Sequence, residues 1–301
     1  MLARLAVAGI QRRGFRDLNG CRFTFDRFVA PKGNYLVFPK ILSIGDFYLP
    51  AYGALVALGV LAGLKVSGAL AKRRGMDVEV VSNLVVVCAL SGLAGAKLAM
   101  IIFDWESHYR QNVADIFSIS TLQAAGVFQG GLILAILVAW WYMRKHGLPF
   151  LKTADVLAPG IALGHGIGRL GCFAAGCCWG AQCDRPWAVT FRSADAAALT
   201  GVPLGIPLHP TQLYEAFAEF VIFGLLWQRS GWKLGDGAQI GFYLVAYSTV
   251  RFGVEFVRSH AQNLVLGMSL TQWMSLSFVA LGLVYWRRSA QASTTTLAMR
   301  N

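Results

Sequence analysis

Residues 79–103 read EVVSNLVVVCALSGLAGAKLAMIIF, a run in which Lys97 is the only charge after Glu79. A helix rises about 1.5 Å per residue and the hydrocarbon core of a bilayer is about 30 Å thick, so about 20 such residues span it. Just upstream, residues 51–70 read AYGALVALGVLAGLKVSGAL, and Lys72, Arg73 and Arg74 divide the two runs. Downstream, further apolar segments cover 126–143, 154–178, 211–228, 238–257 and 268–286. The expected fold is an all-α polytopic membrane protein of about seven transmembrane helices.

Composition agrees. The 301 residues are 56% hydrophobic and 14% charged, against about 25% charged in a soluble domain, and the mean hydropathy is +0.53. The net charge of +12 would suggest nucleic acid in a soluble protein. Here much of it sits in short loops between apolar runs, so no nucleic-acid partner is expected.

Those loops orient the chain. Lys72, Arg73 and Arg74 follow the first segment, Arg144, Lys145 and Lys152 the third, Arg229 and Lys233 the fifth, and Arg287 and Arg288 the seventh. The alternate loops mix signs. Basic loops stay cytoplasmic, so the N-terminus is expected outside and the C-terminus in the cytoplasm. Residues 1–37 form a basic extension that fits this poorly: a true start further downstream, a tolerated segment and an inverted topology all remain open. Residues 38–288 form the seven-helix domain, and 289–301 a cytoplasmic tail.

Ionisable groups in a bilayer cost roughly 2.5–3.5 kcal/mol each on insertion scales and are usually functional. Lys97 lies late in the second segment. His165 and Arg169, Glu215 and Glu219, and Arg251 and Glu255 each recur at i and i+4, on one helical face. With the topology applied, Tyr52, Lys97, Gln129, Arg169, His209, Glu215, Arg251 and Glu255 share the outer half of the bundle. A structural salt-bridge network is one reading, with Arg251 neutralising Glu255 and Glu215 pairing with Lys97. The cationic excess favours a site for an anion such as a phosphate.

Gly130 and Gly131, and the glycines from Gly164 to Gly180, either let helices approach closely or let backbone approach a substrate. Cys172, Cys177, Cys178 and Cys183 lack the paired C-x2-C knuckles of structural zinc sites, so no metal is expected. A disulfide such as Cys178–Cys183 and small buried fillers are the other readings.

Three stretches are more specific: HPTQLYE at 209–215; GRLGCF at 168–173 followed by Trp179-Gly180; and Tyr247 through Arg251, Phe252, Glu255, Phe256 and Arg258. In this order and spacing they resemble the bacterial prolipoprotein diacylglyceryl transferases, with weaker matches at Tyr52-Gly53, Gly95-Ala96-Lys97 and Phe128-Gln129-Gly130-Gly131. The resemblance covers roughly residues 38–288. It implies a seven-helix enzyme of the bacterial inner membrane that moves the diacylglyceryl group of phosphatidylglycerol onto the lipobox cysteine thiol of a preprolipoprotein signal peptide, the first step of lipoprotein maturation, at the outer leaflet and without a cofactor. By resemblance Arg169 and Arg251 bind the headgroup, with Lys97, Gln129, Gly130, Gly131 and Gly180 beside it. Arg251, Glu255, His209 and Tyr52 are the catalytic candidates.

Two departures from the family pattern stand out. Gln129 occupies the place of the family's HGG histidine, and Cys172 that of a common asparagine. The base is then His165, His209, Glu255 or a water. A diverged enzyme of the same fold acting on another thiol or lipid is the alternative within the fold. A polytopic transporter is the alternative outside it, although no internal repeat is visible and the polar site lies off the midplane.

Overall fold

The computed structural model describes residues 37–44, 47–118, 121, 126–232, 234–259 and 264–298. The basic extension lies almost entirely outside the described residues, as does Lys233.

Two short strands, β1 (Lys40–Ile44) and β2 (Phe47–Pro50), form a hairpin leading into α1 (Ala51–Arg73). Then come α2 (Val78–Phe103), α3 (Phe128–Lys145) and α4 (Phe150–Ala175). A head segment holds β3 (Val189–Thr190), α5 (Ala194–Thr200) and β4 (Pro207–Leu208), with β3 and β4 paired antiparallel. The chain finishes with α6 (Thr211–Arg229), α7 (Ala238–Glu255) and α8 (Leu270–Ala298).

Seven long helices thus stand close to the seven apolar segments. Among the described residues, α1, α2 and α4 are long and apolar enough to cross a membrane. In α2 only 11% of the apolar window is buried inside the protein, so its hydrophobic surface points outward, as lipid contact requires.

The structure amends the all-α expectation with two small antiparallel strand pairs. The head is a miniature core rather than a loop: Val37, Val189, Phe191, Ala196, Val202 and Leu208 are buried together, with Phe173 and Trp179 against them. The fourth segment ends at Ala175, not 178, because Gly176 takes φ 74° and caps the helix in the left-handed region. At the other end, α8 runs on through most of the expected tail to Ala298.

Glycine sets the closeness of the helices. α1 packs antiparallel on α4, and a Cβ on Gly59 would lie 2.7 Å from the Gly164 carbonyl oxygen, one on Gly63 2.9 Å from that of Gly160. This is small-residue packing in which two backbones nearly touch. Far from the head, Asp155 of α4 accepts hydrogen bonds from the backbone N–H groups of Gly237 (2.8 Å), Gln239 (2.9 Å) and Ile240 (2.9 Å). That carboxylate satisfies the first-turn donors of α7, which Gly237 cannot cap.

Candidate functional site

α4, α6 and α7 carry a ladder of ionisable groups. α4 and α6 are antiparallel, so residues four apart on one meet residues four apart on the other. Arg169 Nη2 lies 2.7 Å from Glu215 Oε2, and His165 Nδ1 lies 2.6 Å from Glu219 Oε1. α7 adds Tyr247, whose hydroxyl donates to Glu215 Oε2 at 3.5 Å, and Tyr243, which donates to Glu219 Oε1 at 3.3 Å. The two tyrosine rings stack at 5.9 Å. Glu215 and Glu219 are fully buried, where a carboxylate persists only when paired and hydrogen-bonded.

Glu215 is shared. Its Oε1 lies 3.7 Å from Arg258 Nη1, so one carboxylate stands between two guanidiniums. Arg169 Nε and Arg258 Nε are both buried and have no partner among the described residues. Two orphan donors on paired cations are suited to an oxyanion. The Glu215–Lys97 pair of the salt-bridge reading is not found among the described residues: Lys97 Nζ donates to the carbonyl of Thr121 at 2.6 Å.

The other expected residues make contacts of their own. Arg251 Nη1 donates to Glu255 Oε2 at 2.7 Å, and Glu255 Oε1 accepts from Ser269 Oγ at 3.0 Å. Tyr52 opens α1, and a Cβ on Gly171 would meet its ring at 3.4 Å; the hydroxyl shares its electrostatic neighbourhood with Arg169 and with Cys172, Cys177 and Cys178. His209 Nδ1 lies 3.0 Å from Tyr214 Oη, which accepts from Trp187 Nε1 at 2.8 Å. Burial, then the Arg185 charge, hold the His209 imidazolium below its ordinary pKa.

Three glycines prove to be packing residues. A Cβ on Gly131 would lie 2.6 Å from the Gly92 carbonyl oxygen, and one on Gly130 2.7 Å from that of Gly95, so both set the α2–α3 approach. Gly180 sits where three segments cross: its N–H donates to His209 O at 2.9 Å, and a Cβ would lie 2.5 Å from Val257 O. Gln129 is exposed at the start of α3.

The cysteines were read least well from sequence. The Cys178–Cys183 disulfide is not formed; both are free thiols. Cys183 is buried and its sulfur accepts from Arg185 N–H at 3.3 Å. The sulfurs of Cys172, Cys177 and Cys178 instead lie within 4.8 Å of one another. The missed signal was Gly176. With a glycine at C′, Cys172 and Cys177 occupy the two positions a Schellman turn brings together. The catalytic and headgroup candidates also omitted Glu215 and Arg258, although both lie in the quoted motifs, and Tyr243, which no motif singles out.

The family described as prolipoprotein diacylglyceryl transferase matches residues 39–288. A phosphatidylglycerol–prolipoprotein diacylglyceryl transferase of Clostridium tetani is 32% identical over 81% of this chain and 95% of its own length. Proteins of the same name from Bordetella bronchiseptica and Bordetella avium are 34% and 33% identical, over 81% and 85% of this chain and 92% and 96% of their own lengths.

Proposed function

Because this chain belongs to the prolipoprotein diacylglyceryl transferase family, we propose that it moves the diacylglyceryl group of phosphatidylglycerol onto the lipobox cysteine thiol of a preprolipoprotein. It is a membrane transferase. The bond between the glyceryl carbon and the phosphate oxygen breaks, a thioether forms, and glycerol phosphate leaves with the electron pair.

The observation that carries the reading is Glu215 set between Arg169 and Arg258, each with a buried Nε that has no partner among the described residues. The leaving group is an anion, and cations fixed in advance at the place where its charge develops are the largest catalytic asset a protein can offer. Arg169 and Arg258 hold the phosphate in this scheme, and Glu215 fixes their planes. Arg251, oriented by Glu255, supplies further charge. Lys97 and Gln129 are further contacts to the donor lipid, Tyr52 donates a hydrogen bond to the substrate, and His209 belongs to the site's outer rim. Gly130, Gly131 and Gly180 act by letting backbones close.

All seven long helices cross the bacterial inner membrane in this reading, with the N-terminus outside and the reaction in the outer leaflet. Support comes from the end of the bundle where the basic loops gather. There Arg73 stacks on Trp227, Arg144 on Trp140, Lys145 on Trp141, and Arg229 on Trp232 and Trp286. Basic residues mark the cytoplasmic face and aromatic ones the interface, and the Arg169–Glu215 pair lies toward the other ends of α4 and α6.

The test uses purified protein, phosphatidylglycerol vesicles and a lipobox peptide. The peptide gains the mass of one diacylglyceryl group, and Arg169→Ala abolishes the gain. No gain from well-folded protein would sink the reading.

A further inference from the structure

The three clustered thiols have no part in the scheme above, and their backbone is held in an unusual way. α4 ends in a Schellman turn: Gly176 N–H donates to Phe173 O and Cys177 N–H to Cys172 O, both at 3.0 Å. This stacks the Cys177 side chain over that of Cys172. Cys178 then takes φ 62°, in the left-handed region that a residue with a Cβ rarely enters. Such backbone costs on the order of 1–3 kcal/mol and persists where the surroundings enforce it. They do so here: Thr211 Oγ1 donates to the Cys178 carbonyl at 2.6 Å, and Gln212 Nε2 donates to the Cys177 carbonyl. Both carbonyls are turned toward α6, and the three sulfurs converge to within 4.8 Å of one another.

Three thiolates on a tetrahedral zinc ion, each at about 2.3 Å, stand roughly 3.8 Å apart. The present sulfurs, within 4.8 Å of one another, stand close to that spacing. The charge balance is favourable as well. Arg169 and Arg258 both act electrostatically on Cys178, and three thiolates with one divalent ion carry one net negative charge, which those guanidiniums stabilise. All three cysteines are half-buried, so a metal there would be screened from bulk water yet reachable from the site.

We propose that Cys172, Cys177 and Cys178 hold one zinc ion open at its fourth position, and that the acceptor cysteine's thiol binds there. The proposal deepens the transferase reading and rests on it. Zinc with three protein ligands and an open position is the arrangement of catalytic rather than structural sites. A thiol that coordinates zinc gives up its proton on binding, and solvent takes that proton. The bound thiolate attacks the glyceryl carbon; the S–C bond forms as the C–O bond to the phosphate breaks, and zinc changes no oxidation state. The neutral thioether is a poor zinc ligand and leaves.

Such a device spares three carboxylates that already hold other groups. Glu219 holds His165, Glu215 holds two guanidiniums, and Glu255 holds Arg251 and Ser269.

The test starts from the whole chain purified in detergent without chelator. One zinc per chain is expected by elemental analysis. After exchange with cobalt, thiolate charge-transfer and tetrahedral d–d bands appear. The d–d bands shift on adding a lipobox peptide and stay put with the serine version of that peptide. Cys177→Ser loses the metal, whereas Cys88→Ser, on α2 away from the cluster, keeps it. Protein that transfers the diacylglyceryl group while zinc-free and indifferent to chelators overturns the proposal and leaves the transferase reading intact, as does a disulfide found within the cluster of active protein. Bound zinc with peptide-shifted cobalt bands but no transfer supports the site and removes the transferase reading instead.

Discussion

His165 Nδ1 stands 2.6 Å from Glu219 Oε1, one helical turn along α4 from the place where Arg169 meets Glu215. The two pairs look alike but answer to different demands. Arg169 and its neighbour Arg258 retain orphan donors; on the second rung it is the carboxylate that has an oxygen to spare, Glu219 Oε2. The first rung is open toward an anion and the second closes the bundle beneath it.

Removing His165 strands the buried Glu219 carboxylate, so His165→Phe should cost roughly 3–5 kcal/mol. The double change His165→Phe with Glu219→Leu should recover most of that loss, because replacing a buried pair by apolar residues is often near neutral. Thermal unfolding in detergent of the two single variants and the double variant gives the comparison. A double variant as unstable as the sum of the singles would deny the pairing.

On the upper rung, Glu215→Gln keeps the shape and removes the charge that fixes two guanidiniums. Transfer should fall by about 100-fold or more, the scale for losing preorganised charge stabilisation. Folding should survive, since the amide oxygen still accepts from Arg169. Rates within tenfold of wild type would show that Glu215 only packs.

Arg251→Ala should abolish transfer while the protein remains inserted and folded. Glu255 keeps its bond from Ser269 Oγ, so the helix end is not left unsatisfied. Normal activity would take Arg251 out of the site.

His209 provides a pH signature. Burial and Arg185 lower its folded-state pKa, so the unfolded chain binds the proton more readily. Below the ordinary value of about 6.5 the unfolded state therefore carries more protons, and stability falls as pH drops from there through the folded pKa. His209→Gln should flatten that part of the stability curve. An unchanged slope between the two proteins would refute the assignment.

The α1–α4 seam should tolerate no side chain. A Cβ on Gly59 would lie 2.7 Å from Gly164 O, and Gly59→Leu should cost at least about 1–3 kcal/mol as overpacking. Gly224, in α6, has nothing within 4 Å of a Cβ, so Gly224→Ala should instead stabilise by roughly 0.5–1 kcal/mol. Unfolding midpoints of both variants settle the contrast.

Apolar run lengths located the seven long helices, because a bilayer-length run is a one-dimensional property. The i, i+4 spacing of His165 with Arg169 and of Glu215 with Glu219 likewise announced shared faces. Azimuth could not be read, so the salt-bridge reading set Glu215 beside Lys97 when it faces α4 and α7. Gly130 and Gly131 looked like substrate contacts because a glycine pair reads the same whether it meets a ligand or a helix. The head was missed because strands as short as β3 and β4 leave no periodicity to detect. The cysteine cluster was missed because a turn, not a spacing, assembles it.

Asp155 adds a mechanical consequence. It fixes the start of α7, while Arg251 rides near the far end, about 20 Å away along the helix. The helix is therefore a lever with its fulcrum on α4, and a tilt of about three degrees swings the guanidinium through about 1 Å. Misplacement on that scale can slow a reaction by about 100-fold. A carboxylate at the opposite end of the bundle thus governs the aim of a group it never touches.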